Sequence, residues 1–143
     1  MKREKVDQFF QTFNRVAKQM LVPEDLIPSL EVDMELPLSD LNTDLIDQLN
    51  RLAPFGNENP QPLFCSSRVK VKSQSFVVGA KHIKFWITDG KLTCEAIGYN
   101  KASVFPKLSG GETADLVYSP SINTWQGNFS IQLKIEDLKV CTN

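Results

Sequence analysis

The chain is poor in the residues that most catalytic sites require. It carries one histidine, His82, in 143 residues. Its three cysteines, Cys65, Cys94 and Cys141, lie far apart and include no Cys-x-x-Cys pair. A zinc site would have to be assembled from these and from scattered carboxylates, and no ligand spacing supports one. An odd, dispersed set of thiols is no disulfide framework either. It fits a reducing compartment, and a cytoplasmic location is expected. The signatures Gly-x-x-x-x-Gly-Lys-Ser/Thr, Gly-x-Gly-x-x-Gly, Gly-x-Ser-x-Gly and His-Glu-x-x-His are all missing, so the phosphate-cradling, dinucleotide, serine-hydrolase and zinc-protease chemistries have no footing. Apolar runs fall short of the ~18 residues of a membrane span. The opening residues, MKREKVDQFF, have no apolar core or small-residue cleavage site and do not read as a signal peptide. No membrane partner is expected. A formal net charge of −1 gives no overall pull on an anionic partner.

Glycine is also missing from a long stretch: none precedes Gly56. Residues 1–60 hold 6 basic and 11 acidic side chains, whereas residues 61–143 hold 10 basic and 6 acidic. Both tryptophans and both tyrosines fall in the second part. Glycine-free acidic sequence followed by glycine-punctuated, β-branched sequence reads as helix-rich, then strand-rich. The division lies in APFGNENPQP (Ala53–Pro62), with residues 1–55 as one segment and 56–143 as the other.

In the first segment Val6, Phe9, Phe10, Phe13, Val16, Ala17 and Met20 form the stripe of an amphipathic helix that stops before Pro23. Leu30, Val32, Met34 and Leu36 alternate with acids, as in a half-buried strand. A second helix follows, capped by Asn42, with Leu45, Leu49 and Leu52 as its inner face. Two helices and a short strand make a poor independent core, so this segment reads as the remnant of a larger domain. The second segment reads as five strands. Val69 and Val71 alternate with Arg68, Lys70 and Lys72 in the first, and Ile83, Phe85 and Ile87 with His82, Lys84, Trp86 and Thr88 in the second. Asp89-Gly90 is a turn between the second strand and a third running to Tyr99. A looser stretch with one helical turn leads to the fourth, about Thr113–Ile122, and a loop at Trp125-Gln126-Gly127 leads to the fifth, where Phe129, Ile131, Leu133 and Ile135 alternate with polar residues. The fold class is therefore mainly β with an N-terminal α segment, a five-stranded Greek-key barrel of OB type preceded by two helices and a short strand. Periodicity by itself also admits another small barrel or a sandwich.

Between Leu63 and Thr93 there are six basic residues against one acid, Asp89. Arg68, Lys70 and Lys72 share one face of the first strand by period two, and Lys84 and Trp86 share the outer face of the second. Lysine neutralises phosphate and a flat aromatic stacks on an unpaired base, which together suit single-stranded nucleic acid. Trp125, with Asn123, Gln126 and Asn128 around it, is a second stacking platform, since OB barrels bind through loops beside strands two and three. Edge lysines that keep an exposed strand from aggregating give the plainer alternative for the basic run. His82 has no histidine or carboxylate partner in sequence and reads as a hydrogen-bonding group. Cys94, beside Ala96 and Gly98, reads as an inert core thiol.

The wording of the sequence adds a resemblance. LNRLAPFGNENPQPLF (Leu49–Phe64) resembles the junction of RecJ-type single-stranded-DNA-specific exonucleases, where a helix ends in leucine, Pro-Phe-Gly and an Asn-Pro turn. KHIKFWITDG (Lys81–Gly90), EAIGYN (Glu95–Asn100) and DLVYSPSINTWQGNFSIQLKIEDLKV (Asp115–Val140) match in order, and VPEDLIPSLEVDMELPLSDL (Val22–Leu41) resembles the approach to the junction. The resemblance implies the end of the family's second, DHHA1-type domain followed by its OB domain, in a 5′→3′ exonuclease of recombination and repair that uses manganese or magnesium. The metal ligands of that family lie in a domain with an Asp-His-His motif. Neither this motif nor the glycine-rich substrate motif of the second domain occurs here. The expectation is thus a C-terminal fragment with no catalytic residues, no metal ligands and no cofactor of its own, inactive alone. Its implied partners are single-stranded DNA, the missing catalytic domains and other repair proteins such as single-strand-binding protein. A docking module with little affinity for DNA is the alternative from a different class. The turn departs from the commoner Gly-x-Gly-Asn by carrying Glu58, which would oppose a phosphate, so Pro-Phe-Gly reads as structural, with Phe55 filling the gap between helix and barrel.

Overall fold

In a computed structural model, residues 3–105 and 108–141 are described, and they form two compact units, Met1–Glu31 and Val32–Asn143. The first contains α1 (Val6–Met20), whose apolar stripe falls where the sequence puts it and is exposed, with Phe9 and Phe13 stacked at 5.9 Å. The sequence divides the chain at residue 55, whereas the compact units divide at Glu31. The reason is that residues 32–55 fold with the barrel.

That attachment has three parts. β1 (Met34–Glu35) pairs in parallel with the start of β2 (Phe64–Val71). Leu38 and Leu41, around a short 3-10 turn, are buried among barrel residues. Helix α2 (Thr43–Asn50) follows, with Asn42 Oδ1 accepting the Leu45 N–H at 2.8 Å, as expected of an N-cap. Its buried residue is Ile46, with Leu45 and Leu49 half-buried and Leu52 exposed. The expected inner face was rotated by about one position, because Ile46 rather than Leu52 completes the stripe over so short a helix.

The barrel closes through the order β2, β6, β7, β5, β4 and back to β2. Here β4 is His82–Thr88, β5 Thr93–Gly98, β6 Thr113–Trp125 and β7 Asn128–Cys141. All its pairings are antiparallel except β5–β7. These are the five strands expected from alternation. β1 and a further short strand, β3 (Phe76–Val78), which pairs with β4, bring the sheet to seven. Alternation is cleanest in β4, where Ile83, Phe85 and Ile87 are buried, and they meet Leu116, Leu133 and Ile135 in the core. Phe129 departs from expectation. It is 73% exposed, because the β6–β7 hairpin runs past the barrel end and its first residues have no core to face. Between β5 and β6, Phe105 N–H reaches back to the Lys101 carbonyl in one helical turn, and Phe105 and Leu108 are buried.

Two loop expectations sharpen. Asp89-Gly90 belongs to a four-residue connection in which Asp89 Oδ1 accepts the N–H groups of Lys91 and Leu92. Gly90 has φ of +96° there, a conformation open to glycine. In the Pro-Phe-Gly turn, the Asn59 amide donates to the carbonyls of Leu52 and Pro54 and its backbone bridges Gly56. The Asn59 side chain thus closes the turn upon itself, and Phe55 is half-buried. Cys94 is buried, and burial pushes its thiol up to about 12.

Candidate nucleic-acid interface

The register of the barrel sets one row of outward side chains across five strands. Lys72 donates its N–H to the Trp86 carbonyl at 2.8 Å, continuing the β2–β4 ladder in which Lys70 faces Thr88. Trp86 faces Glu95 on β5, Glu95 faces Gln132 on β7, and Gln132 faces Ser121 on β6. Residues directly opposite in a sheet project to the same side, so Lys72, Trp86, Glu95, Gln132 and Ser121 share the outer face. Period two adds Lys84 beside Trp86.

The β6–β7 hairpin rises at one end of this row. Gln126 and Gly127 have φ of +50° and +80°, and Trp125 pairs with Asn128. This is a two-residue turn with positive φ at both positions, so the expected loop is a tight hairpin and Trp125 is the last residue of a strand. The side chain of Trp125 lies outside the described residues. A cleft of about 440 Å³ opens between hairpin and barrel, lined by Lys84, Trp86, Glu95, Asn123, Asn128 and Ser130. Its volume is that of a small-ligand site. Trp86 is 40% exposed along it.

Charge in the cleft is nearly balanced. Lys84 Nζ lies 2.7 Å from Glu95 Oε1, and the Gln132 amide donates to the other carboxylate oxygen. Lys84 is therefore held by a carboxylate within the cleft. Lys72 and Lys70 are exposed, and among the described residues neither is in an ion pair.

Arg68 lies at an irregularity in its strand. The β2–β6 register shifts between Ser66 and Val69, Arg68 takes φ of +53°, and its N–H donates to Asp115 Oδ1 at 2.8 Å. The bulge breaks strict period two between Ser66 and Arg68, and from there Arg68, Lys70 and Lys72 are exposed and alternate with buried Val69 and Val71. Lys70 and Lys72 follow the β2–β4 register toward Trp86, while Asp115 holds the backbone N–H of Arg68. His82 does accept a hydrogen bond, from Asn100 N–H to Nδ1 at 3.0 Å, and meets Tyr99 edge-on at 5.2 Å.

Phe76 joins the site unannounced by the sequence. It faces Lys84 across the β3–β4 pair and is 49% exposed. Its only signal was an uncharged stretch, Ser73–Gly79, beside a basic strand. Among the described residues no group of three His, Cys, Asp or Glu side chains lies close enough to hold a metal ion, and no helix is long and apolar enough to cross a membrane.

Comparison with known proteins agrees with this architecture. A family model described as the RecJ OB domain matches residues 32–137, nearly the extent of the second compact unit. The single-stranded-DNA-specific exonuclease RecJ of Bacillus subtilis is 29% identical over 141 residues, covering 98% of this chain and 18% of that protein. The protein of the same name from Salmonella typhimurium is 26% identical over 140 residues, covering 96% and 24%. The chain thus spans about a fifth of the length of these curated relatives. The crystal structure of RecJ from Thermus thermophilus in complex with Mn2+ superimposes over 100% of this chain and 20% of its own, with a TM-score of 0.67 and 18% identity. At that identity the likeness is one of fold.

Proposed function

Because this chain belongs to the RecJ OB-domain family, we propose that it is the C-terminal, single-stranded-DNA-binding part of a RecJ-like 5′→3′ exonuclease of recombination and repair, acting in the cytoplasm. The observation that carries this reading is the shared outer face of Lys72 and Trp86, the indole of which lines the cleft. A cation and a stacking surface on one face suit a strand whose phosphates run along the rim and whose bases turn inward. Lys70 extends the cationic rim and Phe76 the aromatic one.

Hydrolysis belongs, on this reading, to the catalytic domains of the whole protein, which are partners of this chain. Manganese or magnesium would be held there, by the domain that carries the family's Asp-His-His motif. This chain grips substrate and leaves cleavage to those domains. Contacts to other repair proteins, such as a single-strand-binding protein, are part of the same proposal.

The test is a titration of a labelled, unstructured oligonucleotide with the 143-residue chain at low salt. Weak, sequence-independent binding that falls with salt is expected, with a log–log slope of about −1.4 for two neutralised phosphates. No binding at low salt would pass the function to a protein-docking role.

A further inference from the structure

The cleft beside Trp86 has chemistry that differs from its rim. Its two charged groups compensate each other at 2.7 Å, and the second carboxylate oxygen of Glu95 is taken by Gln132. The rest of the lining is one indole, two carboxamides and a hydroxyl. Among the described residues, the amides of Asn123 and Asn128 have no hydrogen-bond partner: their donors and acceptors are open to a ligand. Glu95 is well covered, its side chain 13% exposed, so its charge lies beneath whatever enters.

An anion entering this cleft would lose water and approach a carboxylate whose compensating cation is already engaged. A flat neutral group with hydrogen-bonding edges would instead cover the indole and meet the carboxamides. We propose that the cleft is a seat for a single nucleobase from which phosphate is excluded, and that Glu95 enforces this by holding Lys84. The inference rests on the DNA-binding reading and deepens it by separating a base subsite from the phosphate rim of Lys70 and Lys72. Glu95 is then an attenuator of affinity: it keeps one lysine of the face out of contact with the backbone.

Two measurements test this on the full chain. The first is an NMR titration with thymidine and deoxycytidine, which carry no phosphate, against inorganic phosphate at equal concentration. The nucleosides should shift the Trp86 indole N–H and the side-chain amides of Asn123 and Asn128, while phosphate leaves them in place. Shifts caused by phosphate, or none caused by nucleoside while an oligonucleotide still binds, overturn the base seat and leave the DNA-binding reading intact. An oligonucleotide that fails to bind at low salt overturns both. The second measurement uses Glu95→Gln, which retains the shape of the side chain and releases Lys84. It should steepen the salt slope by about 0.7 and raise oligonucleotide affinity by up to about eightfold near 0.05 M salt. An unchanged slope in a folded E95Q protein sinks the attenuator role, and the nucleoside titration of the wild type stands whether or not that variant folds.

Discussion

Tyr118 gives its phenolic proton to Ser66 Oγ across 2.8 Å inside the barrel, because the single proton of Ser66 is already committed to the Leu36 carbonyl at 2.6 Å. This relay joins β6, β2 and the segment that leads to α2. Ser66 and Tyr118 are both buried, so each end of the relay depends on the other.

The two ends are unequal, and their variants should differ in stability. Ser66→Ala strands the Tyr118 hydroxyl without an acceptor and removes the donor to Leu36, at a cost of about 1–3 kcal/mol for a buried unsatisfied group. Tyr118→Phe removes one donor and leaves Ser66 bonded to Leu36, at about 0.5–1.5 kcal/mol. Denaturant unfolding should therefore rank wild type above Y118F and Y118F above S66A. The reverse order of the two variants would contradict the assigned proton direction.

Burial also pushes the Tyr118 phenol up to about 12 from 10.0. The unfolded chain then loses this proton first as pH rises, so stability should fall between about pH 10 and 12. Y118F should weaken that alkaline loss, leaving the part due to Cys94 and Cys65, whose thiols burial raises in the same direction. Unfolding midpoints measured across this range check the sign.

At the acid end the relevant group is Asp89. Burial works against its charge, but N–H donation from Leu92, Lys91 and Ser39 outweighs that and holds the carboxyl below its usual range. The Ser39 contact, 2.7 Å to Oδ2, ties the turn before α2 to the β4–β5 connection. A depressed carboxyl contributes stability above its unfolded value of 3.8 that is lost as pH falls through the lower folded value. Asp89→Asn should flatten the acid limb of a stability–pH curve, and an unaltered limb would show that these N–H donors do not hold the carboxyl down in solution.

How much of this was legible in the sequence depends on where one face of an element is buried. β4 reads correctly because Ile83, Phe85 and Ile87 alternate with polar residues over a buried face. β3 does not, because Phe76, Val77 and Val78 are all exposed on an edge and no alternation exists to be read. The place of residues 32–55 was hidden for another reason. Leu38 and Leu41 are ordinary apolar residues buried against barrel residues distant in sequence, and the pairing of β1 with β2 that leads into them lies outside local pattern. In the candidate site the residue types were legible and their partners were not. Nothing in the order Lys84 to Glu95 reveals a hairpin register that puts Trp86 opposite Glu95 and brings the Lys84 ammonium onto that carboxylate. The bulge at Arg68 was likewise invisible, since Ser67-Arg68 resembles any strand dipeptide.

The same bulge yields the sharpest contrast among the basic residues. Lys72 lies level with Trp86, whereas Arg68 sits at the bulge with its backbone N–H on Asp115. If phosphates follow the rim of the cleft, Lys72→Ala should reduce the salt slope by about 0.7 and weaken oligonucleotide binding at low salt. Arg68→Ala should change neither, although both remove one exposed positive charge and lower the net charge equally. Trp86→Ala should cost about 1–3 kcal/mol of affinity with the slope preserved, because stacking releases no counterions. Three variants in one salt series thus separate contact from bulk charge and charge from stacking. Equal losses for Arg68→Ala and Lys72→Ala would mean that DNA responds to the overall field of the barrel, and the assigned face would have to be abandoned.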